Sequence, residues 1–217
     1  MSETRLFFDR IAGRYDRSYA SSGADSRARN DDLLGILGPP RRVLDLGVGT
    51  GRELSALRER GHTVVGLEIA PEMIALCNRR AHPIEILEGD LWERWPFDDA
   101  SFDAVIALHG TLAHPPSEDA LDVLFAEGDR VLRRGGLFVA ELPTPAWLDR
   151  AHGSGRLERD PGSASAARFV DEANGAAIAI RLFDEARWRR AAQGFTITFQ
   201  ALGADELRFV ARRTKES

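Results

Sequence analysis

Between Arg42 and Leu142 the chain alternates short apolar runs with amphipathic stretches. The runs Arg42–Leu46, Thr63–Ile69, Ile84–Glu88, Phe102–Leu108 and Gly136–Leu142 are too short for buried helices and read as buried strands. Between them, Arg52–Arg60 reads as a helix closed by Gly61. Pro71–Arg80 is a second helix, with its proline placed near the start. Ser117–Leu132 is a third, with Leu121, Leu124, Phe125 and Leu132 on one side. Strands alternating with helices predict a parallel sheet with crossover helices.

The flanks carry other patterns. Residues 3–20 predict an amphipathic helix with Leu6, Phe7, Ile11 and Tyr15 on one side. Residues 26–37 predict another, ended by Gly38-Pro39-Pro40. Residues 143–166 are rich in proline, glycine and serine and predict a long mobile loop of the kind that serves as a lid or binding loop. Ala167–Ala173 and Ala176–Leu182, joined by Asn174-Gly175, predict a two-residue hairpin. A short helix over Asp184–Ala192 precedes strands Phe195–Leu202 and Glu206–Arg213, expected as an antiparallel edge of the main sheet. The expected architecture is α/β, a Rossmann-like three-layer sandwich in one domain over 1–217. Residues 1–40 form a helical lid in this reading, and 143–182 a loop-and-hairpin insertion.

Composition narrows the class. The 217 residues suffice for a core without disulfides or metals. No apolar run reaches the roughly 18 residues of a membrane span, and Met1–Arg10 has no signal-like apolar core. Cys77 is the one cysteine, which fits a reducing, cytoplasmic setting. A net charge of -5, with Lys215 the only lysine, disfavours a nucleic-acid partner. A small-molecule substrate, no membrane partner and a monomer or homodimer are expected. No His/Cys/Asp cluster has metal-ligand spacing, and no G-x-S-x-G nucleophile motif is present.

The chemistry concentrates in Val43-Leu44-Asp45-Leu46-Gly47-Val48-Gly49-Thr50-Gly51-Arg52-Glu53. A strand runs into alternating glycines and then a helix, so a ligand can approach bare backbone and the first helical amides. Dinucleotide enzymes carry G-x-G-x-x-G, but here Arg52 takes the third glycine position, which disfavours an NAD-dependent oxidoreductase. Asp45 would repel a diphosphate and suits a cationic ligand. S-adenosylmethionine carries a sulfonium and an ammonium and no phosphate. Glu68, at the end of the second strand, is placed to accept from both ribose hydroxyls or, alternatively, to cap the next helix. Gly89-Asp90-Leu91 ends the third strand: Asp90 suits the adenine amino group and Leu91 its ring, with a plain turn as the alternative. Ile69 and Met73 follow Glu68 and can pack on ribose or adenine, with a core role as the alternative for Met73.

Asp45 to Gly51, then Glu68, then Gly89-Asp90, in this order, resemble the class I S-adenosylmethionine-dependent methyltransferases, in particular small-molecule N- and O-methyltransferases such as those of aminosugars. The resemblance implies a sheet order of 3-2-1-4-5-7-6 with strand seven antiparallel. Ala12-Gly13-Arg14-Tyr15-Asp16 resembles a segment that implies Tyr15 as a lining of the cofactor pocket. Phe102 to His109 resembles the fourth-strand motif, which implies that the residues at its end, Leu108 among them, contact the methionine part of the cofactor or face the substrate. Val131 to Leu137 resembles the turn into strand five. Val48 stands where alanine or cysteine is commoner, and His109-Gly110-Thr111-Leu112 stands where base-modifying relatives carry Asn/Asp-Pro-Pro-Tyr/Phe. Residues 143–182 match no substrate signature.

The implied reaction is in-line displacement at the sulfonium methyl by a nitrogen or oxygen of a small acceptor. His109, at the end of strand four, is the preferred base or substrate-orienting group, with an unperturbed pKa near 6.5; the competing reading is a histidine that holds a loop. His114, Glu141 and His152 are weaker candidates. Trp92 and Trp95 flank the adenine side, and Trp147 and Trp188 either line the substrate pocket or pack the core. A non-catalytic S-adenosylmethionine-binding module is the alternative function.

Overall fold

The computed structural model describes residues 2–18, 23–80, 84–150, 155–163 and 165–214. Lys215 and His152 lie outside them. Helix α1 (Glu3–Ile11) starts at Ser2, whose side chain accepts the Arg5 N–H, and buries Phe7 and Ile11. It does not continue to residue 20 as one helix. It tightens to a 3-10 turn over Ala12–Arg14 and resumes as α2 (Tyr15–Ser18). Gly13 weakens the helix there, and the segment is held by partners elsewhere. Arg14 pairs with buried Asp171, and Asp16 accepts from Thr50. Helix α3 (Gly23–Leu37) ends at Gly38, where φ is 69° and the N–H reaches the Leu34 carbonyl.

The strands β1 (Arg42–Leu46), β2 (Thr63–Glu68), β3 (Glu85–Glu88), β4 (Phe102–Ala107) and β5 (Leu132–Pro143) form the parallel part of the main sheet. Helices α4 (Leu54–Glu59), α5 (Pro71–Arg80) and α6 (Ala120–Val131) connect them. Beyond them lie α7 (Pro145–Arg150), β6 (Gly155–Arg159), β7 (Ala166–Asp171), β8 (Ala177–Arg181), α8 (Glu185–Ala191), β9 (Phe195–Ala201) and β10 (Glu206–Arg213). The main sheet has the order β3-β2-β1-β4-β5-β10-β9, with β10 antiparallel to both neighbours. That is the expected 3-2-1-4-5-7-6.

Both faces of the sheet are buried, which is why its strands read as unbroken apolar runs. On β4, Val105 and Ala107 join one core with Leu121, Leu124 and Phe125 of α6. Ala104 and Ile106 join the other, with Leu33 and Leu37 of α3 and Leu54 and Leu57 of α4. Strand β5 begins earlier than predicted because the sheet absorbs the two glycines as an irregularity between Phe102 and Ala104. A Cβ on Gly136 would lie 2.7 Å from the Arg133 carbonyl oxygen.

Residues 143–166 do not form a plain loop. They contain α7 and β6, and β6 pairs with β7 in a separate antiparallel sheet, β6-β7-β8. The sequence Gly-Arg-Leu-Glu-Arg of β6 carries one apolar residue, so its strand character comes from backbone pairing and not from pattern. The β7–β8 connection is five residues, 172–176, rather than two. Asp171 Oδ1 accepts the N–H of Ala173 and Asn174, which widens the turn. Phe169, Ile178 and Ile180 of this small sheet pack with Phe7 and Ile11 of α1 and Met73 of α5. Each such side chain contributes about 1.5–3 kcal/mol on burial. The insertion thus roofs the strand ends together with the N-terminal helices.

Candidate active site

A cavity of about 880 Å³ opens at the carboxyl ends of β1, β2, β3 and β4. Its floor starts at the glycine bend. Gly47, Gly49 and Gly51 all have positive φ, at 64°, 55° and 72°. Their surroundings differ. A Cβ on Gly51 would sit 2.6 Å from the Cys77 sulfur and 2.7 Å from Leu54 Cδ1, so Gly51 seats α4 against α5 and does not line the cavity. Around Gly49 the nearest atom to such a Cβ is the Gly47 oxygen at 3.7 Å, so this is the open stretch of backbone.

Glu68 ties the bend to the next helix. Its carboxylate accepts from the N–H groups of Gly49, Ile69 and Ala70, each at 2.9 Å. Glu68 therefore holds the start of α5, and it also lines the cavity. A carboxylate offers about four acceptor sites, and Oε2 has only one of these amide donors. Burial pushes the Glu68 carboxyl up, only partly offset by those amide bonds. Asp45 lies beneath the cavity, 4% exposed, and does not line it. Burial pushes its carboxyl well above the usual 3.8, and the negative charges of Glu53 and Glu68 push the same way.

Ile69, Met73, Gly89, Asp90 and Leu91 line the cavity. Gly89 donates to the Glu68 carbonyl, and Asp90 Oδ1 accepts the Trp92 N–H at 2.9 Å. Trp92 borders the cavity, whereas Trp95 and Trp188 are core residues and Trp147 is a wall residue. Leu108 is buried in the core on the α3 and α4 side rather than lining the cavity, and its carbonyl accepts from Thr111. Tyr15, Phe7 and Phe8 enter from the N-terminal helices. Asp16 fastens α2 across the bend, accepting from Thr50 Oγ1 at 2.7 Å and meeting Arg80 at 2.7 Å.

His109 lines the cavity with φ 53°, in the left-handed region. Its Nε2 lies 2.5 Å from Glu53 Oε1, its N–H donates to Glu141 Oε2 at 3.1 Å, and Nδ1 is 3.8 Å from the same oxygen. Glu141 also meets Arg208 at 2.6 Å and Arg29 at 3.3 Å. Burial alone would raise the Glu141 carboxyl, but Arg208 and His109 hold it below its usual range. Arg208 further pairs with Asp32, and Arg29 with Glu206. Of this network only His109 and Glu141 were legible in sequence. Glu53, Arg29 and Arg208 reach them from distant positions, and no local spacing signals that.

His114 also lines the cavity, with Nδ1 2.8 Å from the Ala179 carbonyl oxygen. Burial pushes its pKa down. Burial also pushes the Cys77 thiol up to about 11, which suits a packing residue and not a nucleophile. Among the described residues no cluster of His, Cys, Asp or Glu has the geometry of a metal site.

This geometry has counterparts in known proteins. Residues 43–136 match a family model described as a methyltransferase domain. The chain is 40% identical over 148 residues to a demethylmenaquinone methyltransferase of Thermus thermophilus, covering 64% of this chain and 65% of that one. It is 39% identical over 145 residues to a demethylmenaquinone methyltransferase of Beutenbergia cavernae, covering 64% and 58%. The chain thus spans about three fifths of the length of these relatives. Among solved structures, the CcbJ methyltransferase from Streptomyces caelestis superposes with a TM-score of 0.76 at 22% identity, over 99% of this chain and 100% of that one. With the expected strand order and the glycine bend in place, residues 43–136 are those of a methyltransferase domain, similar to the class I S-adenosylmethionine-dependent methyltransferases.

Proposed function

We propose that the chain transfers a methyl group from S-adenosylmethionine to nitrogen or oxygen of a small-molecule acceptor. The observation that carries this is the buried acidic group at the glycine bend. The charges of Glu53 and Glu68 act on Asp45, and burial disfavours the ionised form of Asp45 and Glu68. Such a group gains most from a ligand that brings positive charge, and a diphosphate would worsen it. The cofactor supplies an electrophilic methyl on a cationic sulfur.

The chain's own residues supply the grip. Gly47 and Gly49 line the cavity, Gly47 packed against Thr111 and Gly49 open, with Gly51 holding the bend against α4 and α5. Glu68 Oε2 retains capacity for a ribose hydroxyl. Asp90 and Leu91 face the adenine end, with Ile69 and Met73 beside them. Asp45 acts through its charge from below. Tyr15 closes the cavity from the N-terminal side, and Leu108 supports the floor from the core. His109 serves mainly to hold the end of β4 to Glu53 and Glu141. Residues 1–40 act as a lid and 143–182 as the acceptor-side wall of one domain. Alignment and exclusion of water in such an enclosure are worth about 7–11 kcal/mol of barrier. Relatives named for a small-molecule acceptor support the acceptor class.

Melting in the presence of S-adenosylhomocysteine and of NAD tests the cofactor. Stabilisation by the first alone is expected. Equal stabilisation by NAD would restore the oxidoreductase reading. Transfer of labelled methyl into a metabolite extract tests turnover, and binding without transfer would leave a non-catalytic cofactor-binding module.

A further inference from the structure

We propose that the Nε2 lone pair of His114 receives the hydrogen bond of a hydroxyl on the methyl acceptor, and that this acceptor is a neutral molecule with an apolar body rather than a cationic amine. The proposal rests on the methyltransferase reading above and deepens it.

The ring of His114 is set by its surroundings. Ala179 presents a carbonyl oxygen 2.8 Å from Nδ1. A carbonyl only accepts, so Nδ1 carries the hydrogen and Nε2 carries the lone pair. Nε2 has no hydrogen-bond partner among the described residues. Phe8 of α1 meets the ring edge-on at 5.8 Å and fixes its plane. Its pKa is governed by burial and the Ala179 contact, with no charged neighbour contributing from its own segment, α1 or β8. Burial keeps the ring neutral at ordinary pH, so the lone pair stays available. His109 differs in that carboxylates face both its ring nitrogens.

The ring of His114 lies between Phe8 and β8, whose Ile178 and Ile180 border the cavity with Phe8, Trp147 and Phe169. A cationic amine would want a carboxylate there whose charge no cation already meets. The charge of Glu141 is already met by Arg29 and Arg208 and that of Glu206 by Arg29, Glu53 is held by His109, and Glu68 and Asp90 sit at the cofactor end. Nε2 of His114 is a polar acceptor beside this apolar lining. A site built to meet one hydroxyl also discriminates against analogues that lack it.

The test uses protein loaded with S-adenosylhomocysteine and three probes of one ring system: 1-naphthol, 1-methylnaphthalene and 1-naphthylmethylamine. Equilibrium dialysis gives the dissociation constants for wild type and His114→Phe. The ratio favouring 1-naphthol over 1-methylnaphthalene is expected to fall about three- to tenfold in the variant, the range of one neutral hydrogen bond. An unchanged ratio overturns the role of His114. Tighter binding of the cationic amine than of 1-naphthol to wild type overturns the acceptor class. The variant's stabilisation by S-adenosylhomocysteine, read without probe, reports whether it folds, and His114→Leu replaces it if it does not. Absence of that stabilisation in wild type would instead refute the cofactor reading, so the two failures are distinguishable.

Discussion

The backbone N–H of Gly49 donates to Oε2 of Glu68 at 2.9 Å, joining the bend after β1 to the tip of β2 across 19 residues of chain. The same carboxylate holds the first amides of α5. Ligand grip and local stability therefore share one side chain. Glu68→Ala strips a partner from three amides, each worth about 1–3 kcal/mol if buried and unsatisfied. A lower melting temperature without ligand is expected, together with a smaller shift on adding S-adenosylhomocysteine. Unchanged values of both would show that water replaces the carboxylate and that Glu68 does not bind the ligand.

Asp45 predicts the pH dependence of binding. Its folded carboxyl is held well above 3.8. Between the unfolded and folded values the native state carries the extra proton, so stability without ligand falls as pH rises through that window. A cationic ligand favours the ionised form, so its affinity rises over the same window. Calorimetric titration of S-adenosylmethionine from acid to neutral pH should show that rise. Asp45→Asn should flatten it and weaken binding at neutral pH by about 1–3 kcal/mol. A slope that survives in the variant would assign the proton to another group.

Gly49→Ala and Gly51→Ala should separate packing from binding. Both positions are left-handed, which costs alanine about 1–2 kcal/mol. Gly51→Ala adds a collision with Cys77 and Leu54, so it should lower stability more. Gly49→Ala meets open space and should chiefly weaken ligand binding. Chemical denaturation and ligand titration of both variants check this ordering; the reverse ordering would mean that the bend rearranges.

Arg208 is 0% exposed and meets Glu141 at 2.6 Å. Arg208→Leu removes the nearer of the two arginines from buried Glu141, leaving Arg29 at 3.3 Å, and should cost up to about 3–5 kcal/mol in urea unfolding. The Glu141 carboxyl is held below 4.5 by Arg208 and His109 against the effect of burial. Its contribution is thus present above the unfolded value and is lost as pH falls through the folded one. The deficit of the variant should accordingly shrink on acidification, and a deficit independent of pH would point to lost packing alone.

Much of the fold was written in local pattern. The five parallel strands, their crossover helices and the glycine bend follow from apolar periodicity and from the few residues that tolerate positive φ. Glu68 and Asp90 were recognisable because they stand at strand ends, and strand ends are where an open α/β sheet binds ligands. Tertiary structure decided what periodicity cannot encode. Strand β6 exists because β7 offers it a backbone ladder, and one apolar residue in its sequence gave no hint of that. His109 became a partner of Glu53, 56 residues away, and His114 received its tautomer from Ala179, 65 residues away. Hydrogen bonds between distant segments leave no spacing in the chain; they arise only when packing brings the two groups within reach.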